Sequence, residues 1–250
     1  MRLLAAWVWP FLRISGMIMT APVIGTRAVP ARTRIILVLA LSGVIVPLAP
    51  APPAITVFSA GGILTAIQEV VIGAAIGLVI RIVFTVVELA GQIVAQQMGL
   101  GFASLVDPQT GLQVPVLAQF YIIFTTLIFF SLGGHLLLIS TIVDSFAILP
   151  AGTGGLSHEG IELVLEWSST LFSGALAIAL PIVVALLAVN LSFGVMARAA
   201  PQLNVFAVGF PIMIMFGTFM VLLTFDKLEV HIRTNFDTAF VVARALLGGP

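Results

Sequence analysis

The sequence predicts an all-α membrane protein, and three observations carry that prediction. Sixty per cent of the 250 residues are hydrophobic and only 8% are charged, with a mean hydropathy of +1.24. The uncharged stretches Pro108–Val143, Trp167–Ala197 and Ala199–Phe225 each exceed the about 20 residues that a spanning helix needs. No run of alternating polar and apolar residues has the length of a barrel strand, so helices are left as the way to satisfy a backbone in lipid. A soluble domain carries about 25% charged residues, so a free cytosolic globule and a disordered chain are excluded. Ten basic residues balance ten acidic ones, which leaves no cationic excess for nucleic acid. With no cysteine there is neither a disulfide framework nor thiolate chemistry.

The first helix is expected within the opening segment. Arg2 precedes an apolar stretch broken by Pro10 and followed by Arg13, with no small-residue cleavage site close behind, so the segment reads as retained. Arg27, Arg32 and Arg34 flank Pro30 and make the most basic loop, cytoplasmic by the positive-inside rule taken alone. The uncharged stretch Ile35–Gln68 is cut by Pro47, Pro50, Pro52 and Pro53 into arms of about 12 and about 15 residues. Such arms reach roughly 18 and 22 Å, short of a 30 Å hydrocarbon core. The second can lengthen through Glu69 towards Arg81; the first cannot. They read as a helical hairpin that need not cross a bilayer, or as a pair of thinned spans.

The next segment carries a polar row. Arg81, Thr85, Glu88, Gln92 and Gln96 fall within an arc of about 80° at 100° per residue. Ile82, Val83, Val86, Val87, Ala90 and Val94 fill the opposite side. Polar groups amid apolar surroundings face a partner helix or a wet cavity, so Glu69, Arg81, Thr85, Glu88, Gln92 and Gln96 are candidates for a pore or subunit-facing surface. A packed polar seam between helices is the simpler alternative. Gly62, Ala66, Glu69, Gly73 and Gly77 line a largely small-residue face that suits close helix approach.

Met98–Pro115 follows as an apolar yet turn-rich loop. Gly99, Gly101, Asp107-Pro108 and Gly111 build turns, while Phe102, Leu105 and Val106 keep it apolar. A loop of that kind belongs inside protein or in a cavity, as a gate or as a plain buried connector. Further on, residues 226–247 form an amphipathic helix, with Leu228, Ile232, Phe236, Phe240, Ala243 and Leu247 on one side. Glu229–Arg233 and Arg233–Asp237 sit at i,i+4 on its wetter side. Residues 1–250 read as one domain.

Enzyme chemistry finds no support. His158-Glu159 is followed by Glu162 where a zinc-protease helix needs histidine, and His135, His158 and His231 have no ligand spacing. No nucleophile elbow, P-loop or dinucleotide fingerprint occurs, so no catalytic residue, metal or cofactor is expected. His135, after two glycines, reads as a hydrogen-bonded structural residue.

Several short motifs occur in a fixed order. They begin with Arg13-x-x-Gly16, Ala21-Pro22-Val23 and Val29-Pro30 with Arg32 and Arg34. Glu69-x-x-x-Gly73-x-x-x-Gly77, Gly91-Gln92 and Met98-Gly99-Leu100 to Asp107-Pro108 follow. Gly134-His135, Leu180-Pro181, Asn190 and finally the run Arg198-x-x-Pro201-Gln202-Leu203-Asn204-Val205-Phe206 complete them. In this order and spacing the chain resembles the FliR family of flagellar biosynthesis proteins, whose counterpart in virulence injectisomes is the T subunit.

The resemblance implies a subunit of a type III export gate in the bacterial inner membrane, at the flagellar basal body. It implies a FliP-like portion joined to a FliQ-like helical hairpin, within a helical assembly raised above the bilayer plane. FliP-type and FliQ-type subunits and an FlhB-type switch protein are the implied partners, with membrane lipid around them. Exported unfolded flagellar proteins would pass through the pore, powered from elsewhere. The family's plug loop corresponds to Met98–Pro115, and Arg198, Pro201, Gln202 and Asn204 to its most specific structural motif. The competing readings are a small-molecule secondary transporter, which would show two similar halves where none is visible, and a membrane anchor without a pore.

Overall fold

The computed structural model of the chain describes residues 2–26, 29–50, 55–100, 115–200 and 205–249, with the side chains of 2–5 and 205–207 left aside. Eight α-helices are found among the described residues: α1 (Arg2–Thr20), α2 (Ala31–Ile45), α3 (Ala60–Gln97), α4 (Val116–Ser131), α5 (Gly134–Ile148), α6 (His158–Ala199), α7 (Val205–Leu223) and α8 (Phe225–Ala245). The fold is all-α.

Two helices are much longer than the uncharged gaps alone imply. The α3 helix begins after the Pro47–Pro53 break and runs 38 residues, through Glu69, Arg81 and Glu88. The α6 helix runs 42 residues and carries Pro181 in its interior. At 1.5 Å per residue their contour lengths are about 57 and 63 Å, roughly twice a hydrocarbon core. Both are long and apolar enough to cross a membrane.

The stretch Pro108–Val143 is not one straight span: α4 and α5 meet at 64°. The cause is local. Gly133 takes φ 66°, a left-handed conformation that glycine adopts without a Cβ clash. The α7 and α8 helices likewise bend by 56° at Thr224. Among the described residues two helices are therefore long and apolar enough to cross a membrane, or up to four if each bent pair counts as one span.

The contacts divide the chain into two compact units. The first comprises residues 1–83, 129–169 and 235–250; the second comprises 84–128 and 170–234. Neither is contiguous, because α3, α4, α6 and α8 each contribute to both.

In the first unit α2 folds back on α1, Gly43 leaving room for the Trp7 indole. The short arm thus packs on the helix before it. The α1 and α3 helices lie parallel in very close contact. A Cβ on Gly73 would strike the Arg13 carbonyl, one on Gly16 the Val70 carbonyl, and one on Gly77 the Thr20 hydroxyl. The gap is narrow enough for the Thr20 hydroxyl to donate to the Ala74 carbonyl across it, at 2.9 Å. Trp167 of α6 donates its Nε1–H to the Val79 carbonyl at 3.0 Å. Phe236 of α8 packs on Phe129 of α4, ring centroids 5.4 Å apart.

In the second unit Gly91 of α3 admits Ala118 and Tyr121 of α4, and Gly217 of α7 admits Met98. Phe120 and Phe124 of α4 meet Phe225, the closer pair at 4.4 Å. The apolar side of the C-terminal helix is spent within the chain: Leu228, Ile232, Phe236, Ala239 and Ala243 are buried. Its Glu229–Arg233 pair forms at 2.8 Å.

The glycine contacts yield a paired prediction. Gly73 and Gly194 both lie inside long helices, but no described atom comes within 4 Å of a Cβ on Gly194. Gly73→Ala should cost about 1–3 kcal/mol through overpacking, whereas Gly194→Ala should stabilise by about 1 kcal/mol through helix propensity. Thermal unfolding in detergent measures both, and equal effects at the two sites would contradict the close α1–α3 contact.

Candidate functional site

The polar row of α3 forms the open side of the helix. Arg81 and Gln96 are exposed, and Thr85, Glu88 and Gln92 are half-buried. The Gln92 side-chain amide donates to Glu88 Oε1 at 3.2 Å, an i,i+4 link that helps hold the row in register. Opposite, Ile82, Val83, Val86, Val87, Ala90 and Val94 are all buried within the chain. Alternation along one helix thus leaves an uninterrupted polar ridge some four turns long.

Glu69 does not belong to that ridge. Twelve residues before Arg81 it is rotated about 120° away from it, and its side chain is turned into the first unit. There it meets Arg13 in a bidentate pair: Nε to Oε2 at 2.7 Å and Nη2 to Oε1 at 3.0 Å. The two side chains are 0% and 1% exposed. Arg13 also donates through Nη1 to the Ser145 carbonyl at 2.9 Å and to Ser145 Oγ at 3.0 Å. Its remaining N–H reaches the Leu149 carbonyl at 2.9 Å. A guanidinium has five N–H donors, and here each has an acceptor.

The position of this arginine has a second electrostatic reason. Ser145 and Leu149 stand at the C-terminal end of α5, where the dipole is negative and backbone donors run short; the Ser145 carbonyl accepts from the Leu149 N–H at 2.9 Å and from Arg13 as well. The last turn of α5 contains no basic residue of its own. Arg13, from α1, supplies that cation from outside the helix. The guanidinium also lies over the Phe146 ring, 4.1 Å from its centroid, a favourable cation–π arrangement once desolvated. One side chain therefore ties α1, α3 and the end of α5 together.

The remaining sequence-predicted residues are dispersed. Of the candidate plug, Met98 is buried, Gly99 takes φ 82° and Pro115 leads into α4. Gly101, Phe102, Leu105, Val106, Asp107, Pro108 and Gly111 lie outside the described residues. Met98 and Gly99 border a cavity of about 480 Å³ whose other walls include Gln96, Phe193, Phe210 and Met213. This brings the end of the polar ridge and the start of the candidate plug to one place in the second unit.

Arg198 is exposed in the last turn of α6, where the helix dipole favours a cation. Among the described residues no acid pairs with it; Pro201, Gln202 and Asn204 lie outside them. His135 packs on Phe130, ring centroids 5.3 Å apart, and its buried Nδ1 has no hydrogen-bond partner among the described residues. Among the described residues no group of three His, Asp or Glu side chains is placed to hold a metal. Arg13 and Ser145 were not singled out as site residues by the sequence. The available signal was a lone arginine inside an apolar helix, which demands a buried partner.

Residues 4–239 match the family described as bacterial export proteins, family 1. The chain belongs to that family. Among its relatives, the flagellar biosynthetic protein FliR of Escherichia coli is 38% identical over 211 residues, covering 84% of this chain and 80% of its own length. The FliR protein of Bacillus subtilis is 31% identical over 248 residues, 98% of this chain and 95% of that protein. That of Aquifex aeolicus is 29% identical over 232 residues, or 93% and 90%. The match to this export-protein family thus takes in α2 to α7 whole and nearly all of α1, with the Arg13–Glu69 pair, the polar ridge and both ends of the candidate plug.

The fivefold coordination of Arg13 generates a prediction. Arg13→Lys keeps the charge but presents three donors from one nitrogen, so it cannot hold Glu69 bidentately and also reach both α5 carbonyls. The expected loss is about 2–3 kcal/mol, on the scale of hydrogen bonds to charged groups. It is read as a lowered unfolding temperature of the purified protein; an unchanged midpoint would mean that the carbonyl contacts contribute nothing.

Proposed function

We propose that this chain is a membrane subunit of a type III protein-export gate of the flagellar kind, acting in the bacterial inner membrane at the basal body. The observation that carries the proposal is the near end-to-end match to FliR proteins, which are described as flagellar biosynthetic. The partners are subunits of the FliP and FliQ types and a switch protein of the FlhB type. The cargo is unfolded flagellar protein. In this reading the chain combines a FliP-like portion with a FliQ-like hairpin and joins a helical assembly.

Two physical features support assembly. Contour lengths near twice a hydrocarbon core suit helices that extend beyond the bilayer. Phe172, Leu176, Leu180, Val184, Leu187, Leu191 and Val195 recur every three or four residues along α6, and all are exposed. Only 28% of the most apolar window of α6 is buried, against 67% for α3. An apolar stripe so bare needs lipid or neighbouring helices around it.

The mechanism proposed for the site is closure by dewetting. The ridge Arg81–Thr85–Glu88–Gln92–Gln96 faces the water-filled path or an adjoining subunit. The loop Met98–Pro115 closes that path, with Phe102, Leu105 and Val106 as the apolar obstruction that excludes ions. Gly99, Gly101 and Gly111 leave the backbone free to swing aside when cargo arrives, and Asp107-Pro108 supplies a turn. Arg198, Pro201, Gln202 and Asn204 hold the break between α6 and α7. Energy comes from partners.

Two experiments test this. Single cysteines at Thr85, Gln92 and Gln96 in the assembled complex should react with a water-soluble maleimide or crosslink to a partner. Those at Val83, Val86 and Val94 should do neither; equal labelling of both sets would remove the ridge from the path. Deleting residues 101–110 should leave assembly and some export intact while cells become permeable to small ions. An assembled mutant gate in a tight membrane would make the loop a plain connector.

A further inference from the structure

The α6 helix stays continuous through Pro181 although that residue has no N–H. The carbonyl of Ala177, four residues earlier, therefore lacks its helical donor. Ala177 and Pro181 both line a small cavity of about 60 Å³ in the second unit, together with Tyr121 of α4 and Thr224, Lys227 and His231 around the start of α8. Tyr121 is only 1% exposed. Among the described residues none is hydrogen-bonded to its hydroxyl, and a buried tyrosine hydroxyl ordinarily has a partner.

We infer that this cavity is a hydration site, occupied by an ordered water that bridges the Tyr121 hydroxyl and the Ala177 carbonyl. The chemistry fits water better than any larger guest. Ala177 offers only an acceptor, and Tyr121 offers a donor and an acceptor. A molecule that donates to one and accepts from the other satisfies both. The volume exceeds the about 10–15 Å³ of probe space that one water needs, and the walls supply the two to four polar partners it requires.

Thr224 adds a further acceptor. Its own hydroxyl proton is committed to the Met220 carbonyl at 2.9 Å, which leaves oxygen lone pairs directed elsewhere. Ile178 and Leu228 complete the wall with apolar surface. Lys227 and His231 are exposed, and mark the side from which water enters. The water stands in for the hydrogen bond that Pro181 removes, so the long helix crosses its proline with the Ala177 carbonyl still partnered, although Ala177 and Pro181 are themselves exposed in the chain. The same proline, in this arrangement, gives the cavity its acceptor.

The test is a reconstruction of the assembled complex by electron cryomicroscopy, at a resolution that shows other internal waters. The expected result is a density peak within hydrogen-bond distance of both Tyr121 Oη and the Ala177 oxygen. Tyr121→Phe keeps the ring that packs beneath Gly91 and should lose the peak. Pro181→Ala returns an N–H to Ala177 and should lose it as well, with α6 unbroken. An empty cavity in the wild type overturns the inference, as does a peak bonded only to Lys227 or His231. Persistence of the peak in both variants overturns it too.

Discussion

Arg13 sits fully buried in an apolar helix, and the arrangement of the first unit follows from what that charge requires. An isolated guanidinium cannot be held out of water without compensation. Here Glu69 supplies the countercharge, the end of α5 supplies carbonyls and a negative dipole, and Phe146 supplies a π-face. Each partner comes from a different place in the chain, so the charge is satisfied only when α1, α3 and α5 have come together. A buried pair of this kind is weak evidence for raw stability, because desolvation offsets much of the attraction. Its stronger consequence is for register: a bidentate contact tolerates no slip of α1 along α3.

The glycines make that contact possible. Gly16, Gly73 and Gly77 bring two helix backbones close enough for a side-chain hydroxyl to reach across to a carbonyl. In membranes, where apolar side chains gain little by leaving lipid for one another, such close backbone packing is a principal source of helix association. Arg13 then fixes which residues face each other. The α3 helix carries this constraint along its length. Its early turns are clamped to α1, and its later turns present Thr85, Glu88, Gln92 and Gln96 on the open side with valines and alanine held inside. The ridge is therefore built on one continuous helix.

Much of this was legible from the sequence because it is periodic or local. The all-α membrane class, the break at Pro47–Pro53, the polar ridge of α3 and the apolar side of α8 all follow from spacing within one segment. What was missed depends on groups distant in the chain. Glu69 reads as one more polar residue near the ridge until helical rotation is counted and Arg13, 56 positions away, is found against it. The 64° bend within the uncharged stretch Pro108–Val143 hinges on Gly133, whose left-handed φ no hydropathy average registers. The return of α2 onto α1 reflects a packing choice that short arms leave open. Composition marked Met98–Pro115 as an apolar segment rich in turns, the plug assignment came from the family resemblance, and Met98 and Gly99 at its start lie beside Gln96 on one cavity.

The account stands on the coupling between Arg13 and Glu69, and a double-mutant cycle measures it directly. Arg13→Leu, Glu69→Leu and the double variant would be purified in detergent and compared with the wild type by thermal unfolding. Each single change leaves one buried charge without its partner, at about 3–5 kcal/mol. The double change removes both charges, so its cost should fall below the sum of the two by at least about 2 kcal/mol. Simple additivity would contradict the account, because it would mean that the two side chains act independently and that α1 is held to α3 by something other than this pair.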